Sequence, residues 1–436
     1  MATYLFSHKE AILWNKRSTL VSALLTGNLA AFFLISYIPG ILGVDSRVAT
    51  APFRVVIFLL ALYTMVRFLS MNSWHFHVTV TLVCAAFFWT AYSLRYIADA
   101  GFLNVPLGDH PENIGLYLFG ITLPAFWIMF HIRDVRLFYK ALSWSMILLG
   151  LCCLFSLKIV YDPKSFQTHT ANDVLSHIAY GHMGLTAVIL AMFVLLRVGN
   201  RYSRSQRLIA IPTIGLGAYA VLISASRGAF VAALILIPGV LLLGYKRGSK
   251  RAVLMSIFVV AGMAIYLYSF LSTKGFDVTR LFDMTSYTSS DKSVYVRQNM
   301  AHDAWQEYLD NPVLGSSIVE RQWLTYPHNA FIEAYMATGT FGGTAFAFMM
   351  LTALWRAILL VKRYPRMSWI SLCFFQQFIG AMFSGGIYGD SILFCLTGII
   401  LGVDLAEKSS VDYKLWDFRY AIGAFRKTEP EGAGIP

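Results

Sequence analysis

The chain has 436 residues, 57% of them hydrophobic and 13% charged, with a mean hydropathy of +0.60. A soluble domain carries about 25% charged residues, so this composition excludes an ordinary soluble fold and indicates a polytopic membrane protein. The net charge of +12 would suit nucleic acid, but its distribution along the chain fits membrane orientation instead.

A membrane-crossing helix needs roughly 20 mostly apolar residues. The first such band, 20–41, follows a polar start with Lys9, Glu10, Lys16 and Arg17. It lacks a small-residue cleavage pattern and reads as a retained span, not a signal peptide. Further bands lie at 51–69, 78–98, 114–130, 141–160, 180–196, 208–225, 229–245 and 252–271, and then at 335–355, 368–385 and 387–405. The expected architecture is all-α, with about twelve transmembrane helices. Cys84, Cys152, Cys153, Cys373 and Cys395 all sit in these bands without a C-x-x-C pair, which argues against disulfides and zinc.

Most of the 35 basic residues fall on one set of connecting segments. These hold Lys9, Lys16 and Arg17, then Arg133, Arg136 and Lys140, then Arg197 to Arg207, Lys246 to Arg251 and Arg356 to Arg366, and finally the tail. The positive-inside rule makes that face cytoplasmic and places both termini inside. Residues 1–271 then hold the first nine helices and 272–333 an outer loop, while 334–405 hold the last three helices and 406–436 a cytoplasmic tail.

The outer loop is the one long polar stretch between the apolar bands. Ser290 or Asp291 is an N-cap candidate, and Met300, Ala304 and Tyr308 recur on one side of an amphipathic helix over Val294–Leu309. Asp310-Asn311-Pro312 stops that helix and Gly315 follows as a turn residue. Arg297 lies near its start. Pro327 disfavours helix at Tyr326 and fits a first helical turn beginning near His328. His328 and Glu333 then head the tenth span, with Asn329 as a candidate cap.

Two charges depart from the apolar scaffold. Arg227 stands alone between uncharged runs, so the linker Ser224-Ala225-Ser226-Arg227-Gly228 is very short. A charge at bilayer depth costs several kcal/mol unless paired, which makes Arg227 a functional candidate against the alternative of interfacial snorkelling. Asp390 is too close to Asp404 for both to lie outside a span, so it is either a counter-ion to an outer arginine or a helix N-terminal acid. The outer histidines His110, His169, His177, His182 and His302 show no metal-ligand spacing. No HExxH, DxD, Walker A, GxSxG or Rossmann pattern occurs, so neither a metal nor a soluble cofactor is expected. Gly339, Gly342 and Gly343, in an apolar run, are expected to permit close helix packing.

An outer face without nucleotides needs a donor that is already activated and held in the membrane. A polyprenyl-diphosphate sugar meets both conditions, since diphosphate leaves without protonation but requires positive charge. Arginine's planar fork suits phosphate. A histidine with a pKa near 6.5 is neutral enough to serve as base for an acceptor hydroxyl.

Three stretches carry a resemblance. They are His328-Asn329-x-x-x-Glu333 with Gly339 and Gly342-Gly343, Ser224-Ala225-Ser226-Arg227-Gly228 after a span, and Val296-Arg297 through Trp305 to Asn311-Pro312-x-x-Gly315. Their order and spacing resemble the O-antigen ligase and O-antigen polymerase family over about 180–400; the first five spans match only in being hydrophobic. The resemblance implies a metal-independent, inverting glycosyltransferase of multi-span (GT-C-like) type. Such an enzyme takes a glycan from undecaprenyl diphosphate on the periplasmic side of a bacterial inner membrane. It implies His328 as base, Arg227 and Arg297 as diphosphate-binding residues, and Glu333 and Asp390 as supporting acids. Lipid A–core is the acceptor for a ligase and a second lipid-linked repeat unit for a polymerase. One dominant outer loop favours the ligase. A transporter of lipid-linked sugars would need charges along a path through the inner half of the bilayer, and here they gather at the outer side.

Overall fold

The structure, a computed structural model, describes residues 8–36, 47–70, 79–103, 105–107, 111–159, 177–196, 198, 202–224 and 226–246, scattered residues between 253 and 269, and 292–405. Most of the band at 252–271, the caps Ser290 and Asp291, the start of the outer loop, His110, His169 and the tail 406–436 lie outside these. The chain divides into two units, Met1–Val403 and Asp404–Pro436.

The first unit is a helical bundle. Its helices are α1 (His8–Thr26), α2 (Arg47–Ser70), α3 (Val80–Gly101), α4 (Pro111–Tyr117), α5 (Leu123–Phe130), α6 (Tyr139–Ile159) and α7 (His177–Leu195). There follow α8 (Arg204–Ile223), α9 (Arg227–Lys246), α10 (Lys292–Asp310), α11 (Ala330–Arg363), α12 (Ser368–Phe383) and α13 (Ser391–Gly402). Among the described residues there is no β-strand, only an isolated bridge between Glu320 and Thr325. Among the described residues eight helices are long and apolar enough to cross a membrane, and two shorter ones, Pro52–Thr64 and Ser391–Gly402, are apolar. The protein is a multi-pass membrane protein.

Local chemistry sets the helix starts. Thr79 accepts from Leu82 N at 3.1 Å. Ser203 and Gln206 exchange bonds in a capping box at 2.9 and 3.1 Å. The apolar run 114–130 is interrupted by a π-helical turn over Leu118–Thr122. The span expected at 335–355 is part of the much longer α11, 34 residues from Ala330 to Arg363.

Two packing groups build the bundle. In one, α7 packs on α6, α8, α9 and α12. Ala187, Ile189, Leu190, Ala191 and Phe193 are all fully buried, so the second half of α7 is apolar all round and surrounded by protein. A Cβ on Gly184 would stand 2.7 Å from Gly217 O, a small-residue crossing of α7 and α8. In the other group α3 packs on α11, and α5 on α13. There Trp89 meets Phe394 at 4.8 Å between ring centroids, and Phe88 meets Phe346 at 4.8 Å.

The bundle ends differ in chemistry. At one end, Ser18 and Ser22 both donate to Leu137 O at 2.9 Å. Lys140 Nζ reaches Asn15 at 2.9 Å and Thr19 at 2.6 Å. Arg356 Nε donates to Ile400 O at 3.0 Å, and its Nη2 to Val403 O. This end carries the basic segments. The candidate site lies at the other.

Candidate active site

The polar stretch after α10 folds back on the bundle as a hydrogen-bonded cradle. Asn311-Pro312 ends α10, and Gly315 takes a left-handed φ of 76°. Arg95 on α3 donates from Nη2 to Leu314 O at 2.7 Å and to Gly315 O at 2.9 Å, and from Nε to Ala337 O at 3.1 Å. One helical turn on, the buried Asp99 accepts from Ile318 N at 2.9 Å. Glu320 caps the next turn, accepting from Gln322 N at 3.1 Å and Trp323 N at 2.5 Å. Trp323 Nε1 donates to Asp303 at 3.1 Å, tying the turn to α10.

Gly339 gives the cradle its seat. Its φ of 66° and ψ of −167° interrupt α11, and a Cβ there would collide with the Val313 carbonyl. Thr340 N donates to Pro312 O and Ser316 N to Met336 O, both at 2.7 Å. The expectation of helix–helix packing is therefore corrected for Gly339: its neighbour is the loop backbone, and glycine is required by the positive φ.

The cradle ends at the histidine. Asn329 is the N-cap of α11, its Oδ1 accepting from Phe331 N at 3.0 Å and Ile332 N at 3.2 Å, while its Nδ2 donates to Met382 O at 3.2 Å. His328 itself is not in the helix, contrary to the expected first turn. It adopts a left-handed φ of 57°, an uncommon conformation for a side-chain-bearing residue and one that clusters at functional sites. The helix starts two residues later because Asn329 caps it.

Around His328 the groups converge. The Tyr326 ring packs edge-on at 4.6 Å, and Tyr388 lies 5.9 Å beyond Tyr326. A Cβ on Gly386 would stand 2.8 Å from the Tyr326 ring, so glycine there makes room for it. Arg297, on the first half of α10, donates to Phe383 O at 3.5 Å and acts electrostatically on both His328 and Tyr326. Burial, helped by the Arg297 charge, lowers the His328 pKa below the ordinary imidazole value, while a hydrogen bond with the Ser384 backbone works the other way. The ring is therefore neutral at pH 7. Burial also raises the Tyr326 hydroxyl, which stays protonated.

Glu333 is fully buried and both of its oxygens are engaged. Tyr92 OH donates to Oε1 at 2.6 Å and Ile387 N to Oε2 at 3.0 Å. It thereby clamps the 384–390 turn to α3 and α11. Asp390 caps α13, Oδ1 accepting from Leu393 N at 3.2 Å. Of its two expected readings, the structure shows the helix N-terminal acid.

Arg227 opens α9, as the short linker implied, with its side chain outside the described residues. The backbone next to it is well placed. Gly228 borders His182 of α7, and the same imidazole borders Gly380 of α12. The last turn of α12 thus touches Arg297, His328 and Asn329 through 382–384, and the start of α9 by way of His182 and Gly380.

Residues 212–347 match a family model described as O-antigen ligase (Wzy_C). This segment, under a third of the chain, is similar to the O-antigen ligase family. The matched segment runs from α8 to the kinked first half of α11 and contains Arg227, Arg297, His328 and Glu333. No curated protein matches the chain. The match supports ligase or polymerase-like work in glycan assembly, on lipid-linked glycans and from within a membrane.

Sequence reasoning missed Tyr92, Arg95 and Asp99 on α3, and Tyr326 and Tyr388. Arg95 and Asp99 had a readable signal: two charges one helical turn apart at the edge of an apolar band, the argument that singled out Arg227. The tyrosines had none, because aromatics at such edges are common.

Proposed function

We propose that the protein is an O-antigen ligase of the bacterial inner membrane, transferring a glycan from undecaprenyl diphosphate to lipid A–core at the periplasmic face. The observation that carries this reading is His328, a neutral imidazole in strained backbone beside the Arg297 charge, at the end of a cradle tied to α3, α10 and α11.

The reaction is a single displacement with inversion. The acceptor hydroxyl gives its proton to His328 as its oxygen bonds to the anomeric carbon. The bond from that carbon to the diphosphate breaks, and the electron pair leaves with the lipid diphosphate. Arg227 and Arg297 bind the diphosphate and stabilise the charge that develops on it. Glu333 and Asp390 act as positioning residues, because the first is enclosed and saturated and the second caps a helix. Transfer proceeds without a metal, and a chelator leaves it unchanged; loss on EDTA that magnesium restores would refute this.

A polymerase, joining lipid-linked repeat units, is the second reading within the same family. Reconstitution with lipid-linked glycan and, separately, lipid A–core decides between them. Product on the core supports the ligase and lengthened lipid-linked glycan the polymerase. Movement of the donor across the bilayer without a new bond would make the protein a transporter.

A further inference from the structure

The His182 side chain is only 7% exposed, and neither ring nitrogen has a hydrogen-bond partner among the described residues. Its backbone is well satisfied by contrast. The carbonyl accepts from Gln376 Nε2 at 2.6 Å and Thr186 Oγ1 at 2.9 Å, and Thr186 also reaches Gln376 Oε1 at 3.1 Å. A buried polar network fixes the residue and leaves its ring without a hydrogen bond among the described residues, an arrangement that ordinarily costs stability.

The ring lies between two glycines. A Cβ on Gly380 of α12 would stand 2.9 Å from Cε1, and one on Gly228 of α9 would stand 3.6 Å from Nε2. Nε2 would stand 3.2 Å from the Gly380 Cβ as well, so it lies between α12 and the first turn of α9, a helix of 20 residues. The first N–H groups of a helix have no intrahelical partners and carry the positive end of its dipole, which together bind anionic oxygens. The turn before it is tight and small. Ser224 and Ser226 are buried, and Ser226 Oγ accepts from Ala229 N in a long bond of 3.5 Å.

We propose that the first turn of α9 and the imidazole of His182 together form a binding site for a phosphate oxygen of the lipid-linked donor's diphosphate. This rests on the proposed function and adds to it a residue outside the matched segment. His182 donates one hydrogen bond to the phosphate oxygen, and the glycines at 228 and 380 leave room for the ring that makes it. A leucine would fill the same space if the ring served packing alone.

The test measures binding of inorganic diphosphate to the purified full chain in detergent, and the KM for lipid-linked donor. His182→Leu weakens diphosphate binding and raises donor KM by about tenfold, the scale of one such bond, with kcat nearly kept. His182→Gln, which retains a donor, recovers most of both. Gly228→Ala, which sets a methyl against Nε2 without backbone strain, weakens binding in a folded protein. Wild-type affinity in His182→Leu or in Gly228→Ala overturns the proposal, as does competition by phosphatidylglycerol with none by diphosphate. Diphosphate binding through His182 in a protein that joins no glycan would leave this site standing and remove the transferase reading. Glycan transfer indifferent to His182→Leu would do the reverse.

Discussion

The two ends of the bundle use the same residue types for different ends. At the basic end, Arg356 and Lys140 satisfy carbonyls and hydroxyls of neighbouring helices, and Arg136 closes on Asp134 at 2.7 Å two residues away. The result is helix ends fixed to one another with ordinary backbone. At the loop end, Arg95, Asp99, Glu333 and Asn329 do similar fastening, but what they fasten is a loop, and that loop ends in His328 at a left-handed φ of 57°. The difference shows where strain is held. Polar groups buried at the basic end hold helices together; at the loop end they hold the imidazole of His328 in an uncommon backbone conformation.

The comparison breaks most sharply at the two key side chains. His328→Ala is expected to lower transfer about 10²–10⁴-fold, the contribution of a positioned base, while the protein still inserts and accumulates. Arg356→Ala at the other end should leave turnover within about twofold and lower only thermal stability, since its bonds run to α13 carbonyls. Equal losses of turnover in both would mean that the two ends are not functionally distinct.

Next in size are the fastenings of the loop. Gly339→Ala forces a side chain into a positive φ and into the Val313 carbonyl, and should cost about 1–3 kcal/mol or more. Tyr92→Phe strands Glu333 Oε1 inside the bundle and should cost about 1–3 kcal/mol. It should slow transfer through misplacement of the 384–390 turn, with donor KM little changed. Both are read by thermal unfolding of the purified protein alongside turnover. A Tyr92→Phe variant of wild-type stability and rate would remove the clamp from the account.

A subtler effect concerns pH. The pKa of His328 is lowered, so the neutral, proton-accepting form persists below pH 6.5 and is lost only as pH falls through the depressed value. The acid limb of kcat/KM for transfer should therefore lie below pH 6.5. Burial is the larger cause and Arg297 the next, so Arg297→Gln should move that limb upward by a fraction of a pH unit, besides weakening donor binding. A downward shift would contradict the placement of Arg297 beside the base.

Much of this was legible from residues. Asn329 as cap, Gly315 as turn, the stop at Asn311-Pro312 and the short linker before Arg227 all follow from local rules and all hold in the structure. Burial of Met300 and Ala304 on one side of α10 followed from periodicity. What could not be read were long-range closures. Tyr92 and Glu333 are 241 residues apart, and no local pattern pairs them. His328 reads as the first helical turn because Pro327 is a good predecessor of a helix, yet the cap at Asn329 excludes it. Gly339 looks like its neighbours Gly342 and Gly343 in sequence, and only the docked loop sets it apart.

The account rests on His328 as the base for a glycosyl transfer, and a single-turnover assay tests that directly. Purified protein in liposomes is mixed with lipid-linked glycan and lipid A–core, and the new glycan bond is followed for wild type and for His328→Ala. Product and released lipid diphosphate in the wild type, with neither above background in the variant, is the predicted result. Bond formation by His328→Ala at the wild-type rate would contradict it.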